Sequence, residues 1–206
     1  MDLLIIGAGG HAKVVIDVAR AAGFEPTAAL DPGAIGDHCN GVKVIGGDNL
    51  APELFVGGAR AAVIAIGDNR LRCRIAERLH EIGFTFPALV HPSAVLSRSA
   101  KIGIGTIVMP NAVVNADASL GDFVIVNTAA VVEHDCVLGR GAHVAPGTSL
   151  GGGVVVGCCA LVGIGSAIRP GSLVGDYAVI GAGSTVIADI PSECIATGSP
   201  AQIQIA

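Results

Sequence analysis

The chain has 206 residues, of which 51% are hydrophobic, 14% charged and 3% aromatic, with 30 glycines and no Trp; this excludes a disordered chain and requires a core of Val, Ile, Leu and Ala interrupted by frequent turns. Twelve Lys and Arg against seventeen Asp and Glu give a net charge of −5 without a basic run, which excludes a nucleic-acid surface but permits small anionic ligands. The six cysteines fall at no disulfide-framework or zinc spacing, so reduced thiols in a cytoplasm are expected.

The N-terminal MDLLIIG has no basic leader and its apolar run stops at Gly7, which predicts a buried strand rather than a signal peptide. It runs into GAGGHAKVV, where Gly7, Gly9 and Gly10 mark a strand-to-helix turn. Glycine there lets backbone approach a phosphate that the helix N-terminus attracts, although the same residues also suit a plain tight connection. A helix ending near Gly23 follows, then a strand from Ala28 to Leu30 ending at Asp31, and a strand from Ala62 to Ile66. A helix from Asn69 to Gly83, with Leu71, Ile75, Leu79 and Ile82 on one face, completes a small parallel α/β unit. A second mononucleotide half is missing, which disfavours a dehydrogenase.

From Val90 to Val186 every sixth residue is aliphatic without exception. The residue four places later is mostly small, as at Ala94, Ala112, Ala130, Cys136, Ala142 and Ala160, and glycine repeatedly stands one place later, as at 103, 121, 139, 157 and 163. A period of six matches neither a helix nor a lone strand. It predicts a short strand plus a corner, repeated as a parallel β-solenoid, with the aliphatic residue inside and the glycine relieving the corner. The charge-free stretch from Gly141 to Ile168 keeps this period and is rich in glycine, so no membrane span is expected there.

The phase also sorts the reactive side chains. His134 lies two places after Val132, so it points outward between Glu133 and Asp135, suited to act as a base. Cys136 has the phase of Ala130 and Ala142 and is expected in the core; His38 and His80 are expected in solvent, and Arg140 and Arg169 as edge charges. Asn127 and His143 lie seven and nine residues from His134. Neither offset is a whole coil, so convergence on His134 needs a neighbouring chain, and a homotrimer with sites at its clefts is expected.

The hexads resemble the hexapeptide-repeat acyltransferases, whose three-sided coils of eighteen residues wind in the left-handed sense. Through IIGAGGHAKVV, AIGDNRLR at 65–72, LVHPSA at 89–94 and VNTAAVVEHDC at 126–136, the whole chain resembles the bacterial sugar O- and N-acetyltransferases. That family includes the sialic acid O-acetyltransferases and the UDP- or GDP-linked amino-sugar N-acetyltransferases. The resemblance implies an α/β half-Rossmann domain over 1–87, an all-β left-handed parallel β-helix over 88–206, and acetyl-CoA as co-substrate without a metal. It also implies that Gly9, Gly10, His11, Asp31 and Asn69 line a nucleotide-sugar pocket and that His134 is the general base with Asp135 raising its basicity. Asn127 and His143 then face the acceptor or the acetyl-CoA carbonyl, and Gly163 and the ATGSPAQ segment, with Gly198 and Pro200, border CoA. The lysine usual after that segment is Gln202 here. The expected reaction is N-acetylation of a nucleotide-linked 4-amino-4,6-dideoxyhexose; sialic acid O-acetylation is the alternative, and a non-catalytic nucleotide-binding scaffold a further one. A γ-class carbonic anhydrase would need three histidines converging on zinc, and only His134 and His143 lie well inside the repeat.

Overall fold

The computed structural model describes residues 1–204; the last two positions of the expected 88–206 domain lie outside the described residues. The chain divides into two compact units, Met1–Pro92 and Ser93 onward.

The first unit contains β1 (Asp2–Ile6), α1 (Gly10–Ala21), β2 (Glu25–Leu30), β3 (His38–Cys39), β4 (Val42–Gly46), α2 (Ala51–Val56), β5 (Ala62–Ile64) and α3 (Asn69–Ile82). Its sheet has the order β3-β4-β2-β1-β5, parallel throughout except for the antiparallel β3–β4 pair. Leu3, Leu4, Ile5 and Ile6 are all buried, as befits a central parallel strand covered on both faces. The β3–β4 hairpin and α2 extend the elements expected from sequence. The hairpin turns on Asn40 and Gly41, both at positive φ (45° and 80°), as a type I′ turn requires.

Helix α3 starts at Asp68, whose side chain accepts a 2.7 Å hydrogen bond from Leu71 N, and stops at Gly83 in the left-handed conformation. Its buried face carries Arg72, Cys73, Ile75, Ala76 and Leu79, whereas Leu71, expected inside, is 38% exposed. Arg72 takes the inward place because three oxygens wait for its guanidinium there: Ile66 O at 3.0 Å, Gly67 O at 3.3 Å and Asn69 Oδ1 at 2.9 Å.

The second unit is built of short strands recurring every six residues. Each pairs in parallel with the strand eighteen residues on: Val113 with Val131 and Val131 with Ser149, Ser119 with Val137, Ile125 with His143 and His143 with Leu161. Three consecutive strands therefore close one coil, and each of its sides stacks into a separate sheet. The hexad aliphatics from Val108 to Val186 fill the interior, while the first two of this unit, Leu96 and Ile102, are half-buried. The small residues lie inside as well, and Thr148 and Ser166 satisfy their buried hydroxyls by donating to Gly163 O (2.8 Å) and Gly181 O (3.0 Å) on the next coil.

The role expected of glycine needs correction. The left-handed corner residue is the one three places after the aliphatic, and it includes Asp117, Ala129, Asp135 and Tyr177 as well as Gly141 and Gly147. The glycines one place after the aliphatic serve close approach instead. A Cβ on Gly139 would stand 2.7 Å from Cys158 N, and one on Gly163 would stand 2.5 Å from Ile180 O, so successive coils meet backbone to backbone there.

Candidate active site

His134 sits on the corner between the strands Val131–Val132 and Val137–Leu138. Its Nδ1 lies 2.8 Å from Asp135 Oδ2, and both side chains are exposed, at 63% and 65%. Asp135 is at φ 60°, a conformation that Asp tolerates better than most residues. The hydrogen bond to Asp135 holds the imidazole pKa above its ordinary value, with the charges of Asp135 and Glu133 adding to it. A proton on Nδ1 shared with the carboxylate leaves the lone pair of the neutral ring on Nε2. That edge of the ring lies over Gly152, one coil on: a Cβ at Gly152 would stand 2.5 Å from both Nε2 and Cε1 of His134. The outward placement of His134 expected from the phase is thus accompanied by a glycine seat that sequence reading did not single out, although the offset of eighteen was available to reveal it.

Asn127 and His143 form a second pair, with Asn127 Nδ2 3.0 Å from His143 Nε2. Asn127 Oδ1 accepts from Thr128 N at 2.8 Å, which fixes the amide orientation, so Nδ2 donates and His143 Nε2 accepts. Asn127 follows the strand Ile125–Val126, whose partner in register is His143–Val144. Asn127 opens the corner preceding that of His134, and His143 lies on the neighbouring strand, so the fold joins Asn127 to His143 but places neither on the His134 corner. Gly163 falls on the Asn127 corner two coils further on. Gly198, at φ 103°, is stitched to the coil end by Thr185 N donating to its carbonyl (2.9 Å) and by its own N–H donating to Ser184 Oγ (3.2 Å); the Ser199–Pro200 bond is cis. Cys136 is fully buried, and burial pushes its thiol up, so it offers no nucleophile beside His134.

The N-terminal unit holds a separate cavity of about 460 Å3 lined by Gly7, Gly9, Gly10, His11, Asp31, Pro32, Asp48, Ile66, Gly67 and Leu71, among others. Asp31 shapes its glycine turn, accepting from Ala8 N at 2.8 Å and from Gly33 N at 2.9 Å. No acidic residue occupies the first turn of α1, whose N-terminus is therefore open to an anion. His11 lines the wall with its pKa lowered to about 4, first by burial and then by the charge of Arg72. Asn69, expected in this wall, is not among its lining residues; it is buried with its amide oxygen turned to Arg72. Sequence reading missed Asp48, on the cavity wall and ion-paired with Arg78, and Arg72 behind it. Among the described residues, no group of three or more His, Cys, Asp or Glu is placed to hold a metal, and no helix is long and apolar enough to cross a membrane.

Residues 2–79 match the PglD N-terminal domain family. Over 115 residues the chain is 36% identical to UDP-N-acetylbacillosamine N-acetyltransferase of Bacillus subtilis (strain 168), a match covering 52% of this chain and about half the length of that relative. Among solved structures it is similar to PerB from Caulobacter crescentus in complex with CoA and GDP-perosamine, with 42% identity, a TM-score of 0.96 and coverage of 100% of this chain and 98% of that one. The acetyltransferase domain of PglB from Neisseria gonorrhoeae FA1090 in complex with acetyl coenzyme A is 41% identical, with a TM-score of 0.94 and 98% of each chain covered. A half-Rossmann unit followed by a left-handed parallel β-helix, matched from end to end at this identity, shows that the chain belongs to the bacterial sugar N-acetyltransferase family of hexapeptide-repeat acyltransferases.

Proposed function

We propose that this chain transfers the acetyl group of acetyl-CoA to the amino group of a nucleotide-linked 4-amino-4,6-dideoxyhexose. The observation that carries the reading is the exposed His134–Asp135 pair, in a chain similar over its whole length to a protein solved with CoA and GDP-perosamine. His134 Nε2 takes the proton from the acceptor nitrogen as that nitrogen attacks the thioester carbonyl. Asp135 stabilises the imidazolium as it forms. The tetrahedral intermediate then collapses, the C–S bond breaks, and the imidazolium returns its proton to the departing CoA sulfur. No acetyl-enzyme forms, in keeping with the buried Cys136. An amino acceptor is favoured over the hydroxyl of a sialic acid because the relatives carry N-acetyltransferase activity in their names or amino sugars in their complexes.

The same reading assigns the N-terminal unit, residues 1–87, to the nucleotide, with Gly9, Gly10, His11 and Asp31 in the cavity wall, and the β-helix, residues 88–206, to acetyl transfer, in a cytoplasmic homotrimer. Asn127 and His143, neither of them on the His134 corner, act on a site completed by a neighbouring chain, and Gly163, Gly198 and Pro200 border CoA. A thiol-release assay with acetyl-CoA and a panel of UDP-, GDP- and dTDP-linked amino sugars, alongside free and CMP-linked sialic acids, tests this. Release with one amino sugar, lost in His134→Ala, is expected; release with a sialic acid alone would turn the reading to O-acetylation, and silence throughout would overturn it. Full activity in a protein that sediments as a monomer would refute the trimer.

A further inference from the structure

The cavity of the N-terminal unit presents two carboxylates to a ligand expected to be anionic. Asp31 is engaged by two backbone N–H groups, and Asp48 is paired with Arg78. Beside the wall stands Arg72, in the first turn of α3 and only 1% exposed. Its guanidinium donates to the carbonyls of Ile66 and Gly67, both cavity residues, and to Asn69 Oδ1, so one side chain ties the β5–α3 turn to the helix that follows it. A planar fork of donors holds three oxygens in a way an ammonium cannot. His11, which lines the cavity beside the glycine turn, has its pKa lowered to about 4 first by burial and then by the charge of Arg72. His11 therefore meets a ligand as a neutral imidazole, and the positive charge on offer comes from the guanidinium behind the wall.

We propose that Arg72 is a positioning residue for the nucleotide site: it pins the Ile66–Gly67 wall and supplies, from within the protein, the positive charge that complements the diphosphate of the nucleotide sugar. This rests on the reading of the cavity as the nucleotide site. A charge fixed behind a wall needs no reorganisation when the ligand arrives, and in a partly dehydrated site it acts over a longer range than a surface lysine would.

The test uses the full-length protein and its Arg72→Lys and Arg72→Met variants. Calorimetry measures affinity for UDP, GDP and dTDP and, separately, for acetyl-CoA, while proton NMR follows the titration of His11, assigned with a His11→Gln variant. The wild type is expected to bind one of the three nucleotides. Arg72→Lys, which keeps the charge but not the fork, is expected to lose several-fold in that affinity with His11 still depressed. Arg72→Met is expected to lose tenfold or more, with the His11 titration moving upward and acetyl-CoA affinity within twofold of wild type. A purely structural role would not move the His11 titration in one variant and spare it in the other. Nucleotide affinity within twofold of wild type in either folded variant overturns the role of Arg72; should Arg72→Met fail to fold, Arg72→Lys alone decides it. A wild type that binds none of the three nucleotides overturns the reading of the cavity itself.

Discussion

Gly152→Ala isolates the placement of His134, the proposed base, from its chemistry. The added Cβ would stand 2.5 Å from Nε2 and Cε1 of His134 and 3.2 Å from Cδ2. Carbon contacts settle near 3.5 Å, so the ring has to retreat by about 1 Å. Because the imidazole is 63% exposed it has room to do so, at the expense of its 2.8 Å hydrogen bond to Asp135. Gly152 is not in the left-handed region, so Ala introduces no backbone strain. The expected result is a fall in kcat of about 100-fold, the usual consequence of an ångström-scale misplacement, with stability changed by no more than about 0.5 kcal/mol and a Tm shift of about 1–2 °C. Steady-state thiol release beside a thermal melt measures both, and NMR titration of His134 should show its pKa falling back toward the ordinary value. Activity within threefold of wild type, with the His134 pKa still raised, would refute the seat.

Other expectations follow from single contacts. Asp135→Asn keeps a residue that tolerates φ 60° but removes the carboxylate; the acidic limb of the kcat/KM profile, set by a base whose pKa is raised, should move to lower pH while the plateau drops, and an unmoved limb would detach Asp135 from the base. Because folded His134 holds its proton more tightly than the unfolded chain does, any stability it lends is present in acid and disappears as pH rises through the raised pKa, and its exposure keeps that contribution small. Ser172→Ala should stabilise the β-helix by about 1 kcal/mol, since the Ser172 hydroxyl is buried without a hydrogen-bond partner; a lowered Tm would mean that the hydroxyl has a partner. Gly139→Ala drives a Cβ into the backbone of the next coil and should cost about 2–3 kcal/mol, whereas Gly147→Ala meets open space at φ 66° and should cost about 1–2 kcal/mol. Equal Tm losses for the two would deny that the two classes of glycine serve different ends.

The residues that were legible in the sequence share one property: the same constraint is repeated. The β-helix writes its interior once every six residues from Val90 to Val186, so phase alone separates buried Cys136 from exposed His134. The β3–β4 hairpin and α2 are single short elements with no period to betray them, although Asn40-Gly41 carried the turn chemistry. In α3 the apolar spacing pointed to Leu71, but a hydrogen-bonded arginine outweighed it for the inward position, and no hydropathy pattern anticipates a cation in a core. Glycine composition likewise hides two causes, since left-handed corners accept Asp, Ala and Tyr while backbone contact between coils accepts no Cβ at all.

The candidate site becomes legible by the same logic once the coil length is known. The strand register advances by eighteen, so Glu133, His134 and Asp135 lie directly beneath Gly151, Gly152 and Gly153. Each of the three polar side chains on this corner is answered, one coil on, by a residue that has none. Gly153 also donates to the His134 carbonyl at 2.8 Å, which fixes the height of the glycine layer above His134. A run of three glycines on a corner contributes nothing to the core. Only the middle glycine answers to the imidazole: a Cβ on Gly152 would displace His134, whereas one on Gly151 would meet Pro170 and Gly153 occupies a left-handed corner at φ 68°.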